Sequence, residues 1–437
     1  MRLPVDRTTG ADELRASVAA WIDEHVPESW RRAAAEGHDA LRDARSRADY
    51  EAWYPRFADS GLAVAGWPVP YGGLDLTNDQ VRVVESVLAP HNLGRLNPLG
   101  LNNTASALFA FGTEEQRLRF LPPMVRNEER WCQLFSEPGA GSDLASLAMR
   151  AERDGDEWVV NGQKVWTSLA AGTDYGMLLA RTDPDQPKHS GITWFAFPMM
   201  QPGVDIRPLV EMTGQAFFNE VFLDDTRVPD ANVIGDLNDG WRVGNTTLAY
   251  ERGSLAGAGI ELPFARAGST SEDLDRPAGD FGMRTEGGPR PKTGAAPTAV
   301  RFGRYARALG HDDAARRDAR VRLHIREEVN RLLGLRARSG AVPSIGNLGK
   351  LAMSEIARMK REAGNQSIGA LGMLTGDDAA AAIGHGEVQA TTLHSPAPSI
   401  YGGTDQVQRN ILGERFLGLP KEPGPPRSTP FRDLPRN

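Results

Sequence analysis

Phe135-Ser136-Glu137-Pro138-Gly139-Ala140-Gly141-Ser142-Asp143 is followed by Asn161-Gly162-Gln163-Lys164-Val165-Trp166-Thr167-Ser168, and the two pieces belong together. The first is a glycine-rich loop with small hydroxyl side chains. Glycine lets the backbone approach a ligand closely and leaves N–H groups pointing outward. The second has the pattern of a strand that delivers a large aromatic, Trp166, and the hydroxyls of Thr167 and Ser168 to one place. Loop donors beside an indole suit a flat, hydrogen-bonding, partly anionic cofactor.

Composition bounds the rest. At 437 residues the chain is long enough for two or three domains or one large multi-part unit. A formal net charge of −7, with 24% charged residues, offers no basic field for nucleic acid and no polybasic membrane anchor. No apolar run approaches the roughly 20 residues that span a bilayer. The first residues lack a secretory apolar segment, so a soluble cytoplasmic protein is expected. Cys132 is the one cysteine, which excludes an internal disulfide or a multi-cysteine metal site. Within Trp131-Cys132-Gln133-Leu134-Phe135 it reads as a buried strand residue. The eight histidines show no ligand-type spacing, so no metal is expected.

Residues 11 to 130 have helical texture. Leu14, Val18, Trp21 and Ile22 recur at helical spacing, and Pro27 closes that helix. Further helices are predicted over Asp49 to Phe57, Asp79 to Leu88 and Asn102 to Phe111. Thr113 reads as the N-cap of a helix opened by Glu114 and Glu115 and stopped after Leu121 by Pro122-Pro123. From Trp131 to about Val233 the chain shows short β-type runs separated by turns. Glu157 to Val160 runs into Asn161-Gly162, a hairpin signal. Tyr175 to Ala180, Ile192 to Phe197 and Asn219 to Leu223 read as strands. The pattern predicts a helical domain over 1–130, an antiparallel β-domain over 131–235 and a helical domain over 236–437. In the last, helix is expected from Trp241 to about Ile260, over Ala314 to Arg338, Leu348 to Gly369 and Val407 to Phe416. Residues 267–300 carry almost no apolar periodicity and read as an insertion. A proline-rich tail begins at Pro420.

The loop and strand resemble those of the acyl-CoA dehydrogenase family, in which Glu-Pro-Gly-Ala-Gly-Ser-Asp and Asn-Gly-x-Lys-x-Trp hold the isoalloxazine of FAD. Helices, β-domain, helices is also that family's order, and the resemblance covers about residues 12–420 apart from 267–300. It implies an α+β chain with an N-terminal helical domain, a middle antiparallel β-domain and a C-terminal four-helix bundle. It further implies that the backbone around Gln133, Leu134, Phe135 and Ser136 binds the flavin ring and ribityl chain. Ser142 would contact cofactor and substrate, Trp166 and Thr167 would lie at the ring, and Ser168 would hydrogen-bond flavin N5. Gln366-Ser367-Ile368-Gly369-Ala370-Leu371-Gly372 resembles the turn that meets the FAD diphosphate of a neighbouring subunit, which places Gln366, Gly369 and Ala370 there. Ala370 stands where relatives commonly have glycine. Thr404, Asp405 and Gln406 match residues contacting FAD of the same or a neighbouring subunit. Tyr250, Arg252 and Arg409 would line the CoA side. No copy of the family's Arg-x-x-Phe-Gly adenine-binding stretch stands out; Phe281-Gly282 and Phe302-Gly303 come nearest.

Dehydrogenating a saturated thioester requires removal of a weakly acidic α-proton, which a carboxylate tuned by burial can do. In most relatives that glutamate lies in Tyr-Glu-Gly-Thr near the last helix. Here the segment is Tyr401-Gly402-Gly403-Thr404, and Gly402 cannot take a proton. Its N–H is still expected to polarise the thioester carbonyl. In the isovaleryl and long-chain branches the base comes from an earlier Glu-Arg pair, and this chain has Tyr250-Glu251-Arg252 there. Independently of any family, Trp241, Leu248, Leu255 and Gly259 form one helical stripe, and Glu251 sits three after Leu248 and four before Leu255. A carboxylate on an apolar stripe is costly unless paired or functional. Read from the residues alone, Glu251 is a base, faces a partner arginine or marks the edge of the stripe; the resemblance, with Gly402 vacant, points to the base.

The resemblance implies FAD-dependent α,β-desaturation of an acyl-CoA thioester to a 2,3-enoyl-CoA, with reoxidation by an electron-transferring flavoprotein. It implies a homotetramer, or a heterotetramer with a related subunit. Two alternatives stay open: a non-catalytic subunit that completes FAD sites for a partner, and a flavin oxidase or monooxygenase on the same fold.

Overall fold

A computed structural model describes residues 1–36, 38–255, 296–338, 345–421 and 423–435. The chain begins with helices α1 (Ala11–His25), α2 (Glu28–Glu36), α3 (His38–Ala44), α4 (Arg47–Asp59), α5 (Asn78–Leu88), α6 (Ala105–Phe111) and α7 (Glu114–Val125). Leu14, Val18, Trp21 and Ile22 are buried along α1, as their spacing predicts. Capping boxes start α4, α5 and α7: Ser46, Thr77 and Thr113 accept from the backbone N–H of Asp49, Gln80 and Gln116, whose side chains answer in return.

Helix α7 departs from expectation, because Pro122 and Pro123 lie inside it. Phe120, Leu121, Met124 and Val125 are buried and carry the apolar stripe past the prolines. The two proline carbonyls then accept from Arg126 N at 3.2 Å and Glu128 N at 2.9 Å. Proline removes N–H donors, but packing of the stripe holds the last turn.

The middle of the chain forms β1 (Trp131–Leu134), β2 (Arg150–Asp154), β3 (Glu157–Ser168), β4 (Tyr175–Arg181), β5 (Ile192–Pro198), β6 (Val204–Leu209) and β7 (Phe218–Pro229). Strand order is β1-β4-β2-β3-β7-β6, with β5 also paired to β4. Both β1 and β2 pair with β4 in parallel, so the sheet is mixed and not wholly antiparallel. Asn161-Gly162 is no hairpin turn either. It lies within β3, where the register against β7 shifts between Val160 and Gly162. Asn161 and Asp225 exchange hydrogen bonds there at 3.0 and 2.8 Å. The turn between β2 and β3 is instead at Gly155, with φ +68°. Turn and bulge both want residues tolerant of positive φ, so the dipeptide signals either.

Strands β4 and β5 are buried on both faces, and alternation divides their side chains between two cores. Met177, Leu179, Trp194 and Ala196 pack with the N-terminal helices. Leu178, Ala180, Phe195 and Phe197 pack with Val160, Val221 and Cys132. Burial pushes the Cys132 thiol up to about 12.

Helix α8 (Gly240–Leu255) packs on α6, β4 and β5. Then α9 (Thr298–Ala308), α10 (Ala314–Arg338), α11 (Ile345–Ile368), α12 (Gly376–Ala381), α13 (Glu387–His394) and α14 (Asp405–Ile411) follow. Helices α9, α10, α13 and α14 gather on α11. Phe302, Leu323, Ile356 and Val388 form the centre of this third core. Of the stretch expected to be irregular, residues 267–295 lie outside the described residues, while Thr298 to Val300 already belong to α9. Residues 256–260 of the expected α8 extension also lie outside them.

The tail after α14 returns to the sheet. Phe431 N donates to Gln186 O at 2.9 Å, and Arg432 pairs with Asp185 at 2.6 Å. The Phe431 ring centre lies 3.8 Å from the Arg181 guanidinium carbon. Among the described residues no helix is long and apolar enough to cross a membrane.

Gly240 opens α8 against β5, and a Cβ there would lie 2.5 Å from backbone atoms of Thr193 and Trp194. Gly240→Ala must push α8 away from the sheet, an overpacking cost of about 2 kcal/mol. The expected outcome is a melting temperature lower by several degrees, read by circular dichroism.

Candidate active site

Lys164 anchors the site. Its side chain is 0% exposed, and its Nζ donates to Glu137 Oε1 at 2.8 Å, Phe135 O at 3.0 Å and Leu179 O at 2.8 Å. Glu137 also accepts from Ala148 N at 2.7 Å and Met149 N at 3.1 Å. Val165 N donates to Ser136 O at 2.9 Å. The loop after β1 is thereby tied to β3, β4 and the segment before β2. Burial draws the Lys164 ammonium below the usual lysine range, and Glu137 pulls it back up. Its acceptors satisfy the ammonium, which makes a fully buried cation tolerable. The loop tip closes on itself, with Glu137 N to Ala140 O at 3.1 Å and Ala140 N to Glu137 O at 3.0 Å. A Cβ placed on Gly139 or Gly141 would meet nothing within 4 Å, so that face of the loop is open to close approach.

The next feature is a bulge. Lys164 faces Val221 while Thr167 faces Asn219, so β3 carries one residue more than β7. Trp166 absorbs it with φ +61°. A left-handed backbone costs a bulky L-residue about 1–2 kcal/mol. The bulge re-aims the side chain: Lys164 and Thr167 stay buried, while Trp166 is 55% exposed. Its ring meets Phe218 edge-on at 5.6 Å. The Thr167 hydroxyl is buried with no protein partner. Ser168 is half-buried at the strand end. Gln133 accepts from Asn103 Nδ2 at 3.0 Å. Leu134 and Phe135 point into the core, so their backbone is what they can offer a ligand. Ser142 is exposed. Asp143 pairs with Lys188 and accepts from Ser146 Oγ at 2.6 Å. Burial raises the Asp143 carboxyl, but Lys188 and Ser146 together hold it below the usual range. An open glycine face, an exposed indole and an unsatisfied buried hydroxyl fit FAD.

A second group lies on α14 and α11. Gly402 and Gly403 have φ +62° and +84°. Thr404 caps α14, accepting from Val407 N at 3.2 Å. Asp405, expected at the cofactor, instead buries its carboxylate 3.1 Å from Arg358 Nη1 and 3.8 Å from Lys350 Nζ, which anchors α14 to α11. Burial raises its pKa, but Ser354, Arg358 and Lys350 outweigh that and hold it below the usual carboxylate range. Gln406 and Arg409 are exposed. Gln366, Gly369 and Ala370 are exposed at the far end of α11. At 1.5 Å per residue, Gln366 is roughly 24 Å along α11 from Lys350, so one subunit does not bring the two turns together. Tyr250 is buried at 1% exposure. Glu251 and Arg252 follow it on α8; their side chains lie outside the described residues.

From the sequence, Lys164 and Glu137 have no role of their own, although each lies in one of the two motifs. The signal is parity: Trp158, Val160 and Lys164 share the inward positions of β3, and a lysine there must be paired. Gln408, buried beside Gly402, carries no comparable mark.

Comparison with known proteins places this geometry. Residues 8–128 match the family model for the acyl-CoA dehydrogenase N-terminal domain, and residues 132–226 match that for the middle domain. The acyl-CoA dehydrogenase IpdE1 of Mycobacterium tuberculosis is 36% identical over 420 residues, covering 94% of this chain and 98% of that protein. The acyl-CoA dehydrogenase FadE34 of the same organism is 37% identical over 368 residues, covering 83% of this chain and 45% of that protein. Among solved structures, the Tcur3481-Tcur3483 steroid ACAD G363A variant aligns with TM-score 0.65 and 25% identity, covering 94% of this chain and 99% of that one. The ChsE4-ChsE5 complex from Mycobacterium tuberculosis aligns with TM-score 0.64 and 26% identity, covering 97% of this chain and 100% of that one.

Lys164→Met leaves Glu137 buried without its cation, a loss of about 3–5 kcal/mol. The variant is expected to purify with little flavin and a lowered melting temperature. Lys164→Met combined with Glu137→Gln should recover part of both, as read by the flavin-to-protein absorbance ratio and a thermal melt.

Proposed function

The chain belongs to the acyl-CoA dehydrogenase family of FAD-dependent oxidoreductases, and on that premise we propose that it desaturates an acyl-CoA thioester between Cα and Cβ with Glu251 as the base. One observation carries this reading. Gly402, with φ +62°, stands where most relatives hold the base, while α8 brings a Glu-Arg pair from a helix seated directly on β4 and β5. A Cβ on Gly244 would lie 3.1 Å from the Leu179 side chain, so α8 is closely seated.

The Glu251 carboxylate takes the α-proton, and the Gly402 N–H donates to the thioester carbonyl as negative charge develops on its oxygen. When bound, FAD supplies the acceptor for the β-hydride. The Lys164–Glu137 clamp holds the loop that orients the ring, and Trp166 covers it. Ser142, Arg252 and Arg409 line the thioester and CoA side; Tyr250, expected there too, is fully buried and packs inside the protein instead. Separating the base, on α8, from the carbonyl donor, in the turn before α14, frees the space beside Gly402.

We assign a bulky, fused-ring acyl group to the substrate, supported by the likeness to a pair named as a steroid ACAD. Partnership with a related chain has support from the ChsE4-ChsE5 complex and from α10. Val321, Ile325, Val329, Leu332 and Leu335 recur on one face of that helix and are 40–56% exposed. Such a stripe suits a helix of a second subunit in a tetramer, with the Gln366 to Ala370 turn serving the neighbour's FAD. An electron-transferring flavoprotein is the proposed oxidant.

In anaerobic titration, steroid-derived acyl-CoAs should bleach the wild-type flavin and straight-chain acyl-CoAs should not; the reverse would overturn the fused-ring assignment. Glu251→Gln should keep its FAD and reduce it about 10²–10⁴-fold more slowly. Wild-type rates in Glu251→Gln would overturn the assignment of the base. Bound flavin that no acyl-CoA bleaches would point to a non-catalytic subunit, and rapid oxygen consumption by the reduced enzyme to an oxidase. Ile325→Glu with Leu332→Glu should lower the assembled mass in analytical ultracentrifugation.

A further inference from the structure

Gly402 and Gly403 are consecutive residues at φ +62° and +84°. Two left-handed residues in a row make an abrupt turn that persists only if its surroundings hold the peptide between them. Gln408 supplies that hold. It is 1% exposed on α14, and its Nε2 donates to Gly402 O at 3.0 Å and reaches Gly403 O at 3.5 Å. Its Oε1 accepts from Asn347 Nδ2 on α11 at 2.5 Å. The φ of +84° at Gly403 favours glycine, and a Cβ there would displace the Gln408 amide, which it would approach to 2.6 Å.

A trans peptide points its C=O and N–H in opposite directions. A donor on the Gly402 carbonyl therefore turns the Gly403 N–H away from Gln408. Among the described residues, neither the Gly402 nor the Gly403 N–H donates to a protein acceptor. The turn thus has its carbonyls engaged from the bundle side and its N–H groups uncommitted. Successive free N–H groups in a turn form an anion-accepting concavity. The amide bond to the Gly402 carbonyl also polarises the peptide and strengthens the Gly403 N–H as a donor.

We infer that Gln408, steadied by Asn347, is a positioning residue that fixes the Gly402–Gly403 peptide so that both N–H groups face the thioester carbonyl oxygen. This rests on the proposed function, in which that oxygen meets the Gly402 N–H. The inference adds the second donor at Gly403 and the relay from Asn347 through Gln408 that aims it.

The test uses the full-length, FAD-loaded protein with any partner that copurifies, and the acyl-CoA that bleaches the wild-type flavin. Gln408→Met keeps length but removes the donor; Gln408→Glu keeps shape but, once ionised, cannot donate. Both should lower kcat about tenfold or more with KM changed less than about threefold. FAD content should stay near wild type, while the melting temperature should fall by a few degrees for the lost buried hydrogen bond. A bound 2-enoyl-CoA, whose absorption moves to longer wavelength when its carbonyl is polarised, should lose that shift. Wild-type kcat and an intact shift in both variants would overturn the inference, as would parallel loss of kcat and FAD. If neither Gln408 variant folds, Asn347→Ala carries the test: a kcat loss of about two- to fivefold with a weakened shift supports it, and wild-type values overturn it. If Glu251→Gln is inactive while the Gln408 variants are unimpaired, this inference alone falls. If Glu251→Gln stays active, the function it rests on falls with it.

Discussion

One buried positive charge organises the glycine-rich loop after β1. The Lys164 ammonium, out of water, holds the Glu137 carboxylate and the carbonyls of Phe135 and Leu179. A charge taken from water is unfavourable alone and stabilising only within a complete set of partners. The loop is therefore either fully engaged or badly strained, and an all-or-none arrangement gives a ligand-binding loop its rigidity. Arg181 extends the spine: 3% exposed, it donates to Ala145 O at 2.8 Å, and burial lowers its pKa to about 10. Two buried cations thus sit behind the segment from Glu137 to Met149, and the open face of the loop is left for a ligand.

The bulge at Trp166 and the paired glycines at 402 and 403 are complementary devices. Each puts the backbone at positive φ and so aims a group against the local pattern. At Trp166 an extra residue rotates an indole out of a strand that otherwise points inward. At Gly402 the absence of a side chain leaves N–H groups accessible. Strain at the first is offset by the Lys164 clamp two residues earlier, and the second, unstrained in glycine, is held in one orientation by Gln408.

Much of this was legible in the sequence. Helical spacing in α1, the capping residue Thr113, and the change to short β-type runs at Trp131 all act locally, so local pattern reveals them. Ser46 and Thr77 cap α4 and α5 in the same way but were not read from the sequence. The parallel pairing of β1 with β4 was hidden because it joins distant segments whose pairing no short stretch encodes. Pro122-Pro123 misled because breaking propensity lost to the burial of Met124 and Val125. Asn161-Gly162 misled because bulge and turn ask for the same backbone freedom. At the site, the loop and Trp166 were recognisable as motifs. Asp405 was not separable from its neighbours, since only the packing of α14 on α11 reveals Arg358 and Lys350 as its partners.

The tail that crosses back to the sheet has a consequence for how the chain is made. Phe431 stacks on Arg181, and Arg432 pairs with Asp185 on the β4–β5 hairpin. Domains tend to fold as they leave the ribosome, amino-terminal parts first. The hairpin therefore emerges long before its capping segment, with the Arg181 ring contact unmade. Completion of the polar spine waits for residues 430–432 to be translated, so the ring contact on Arg181 is a late addition to a hairpin made about 240 residues earlier.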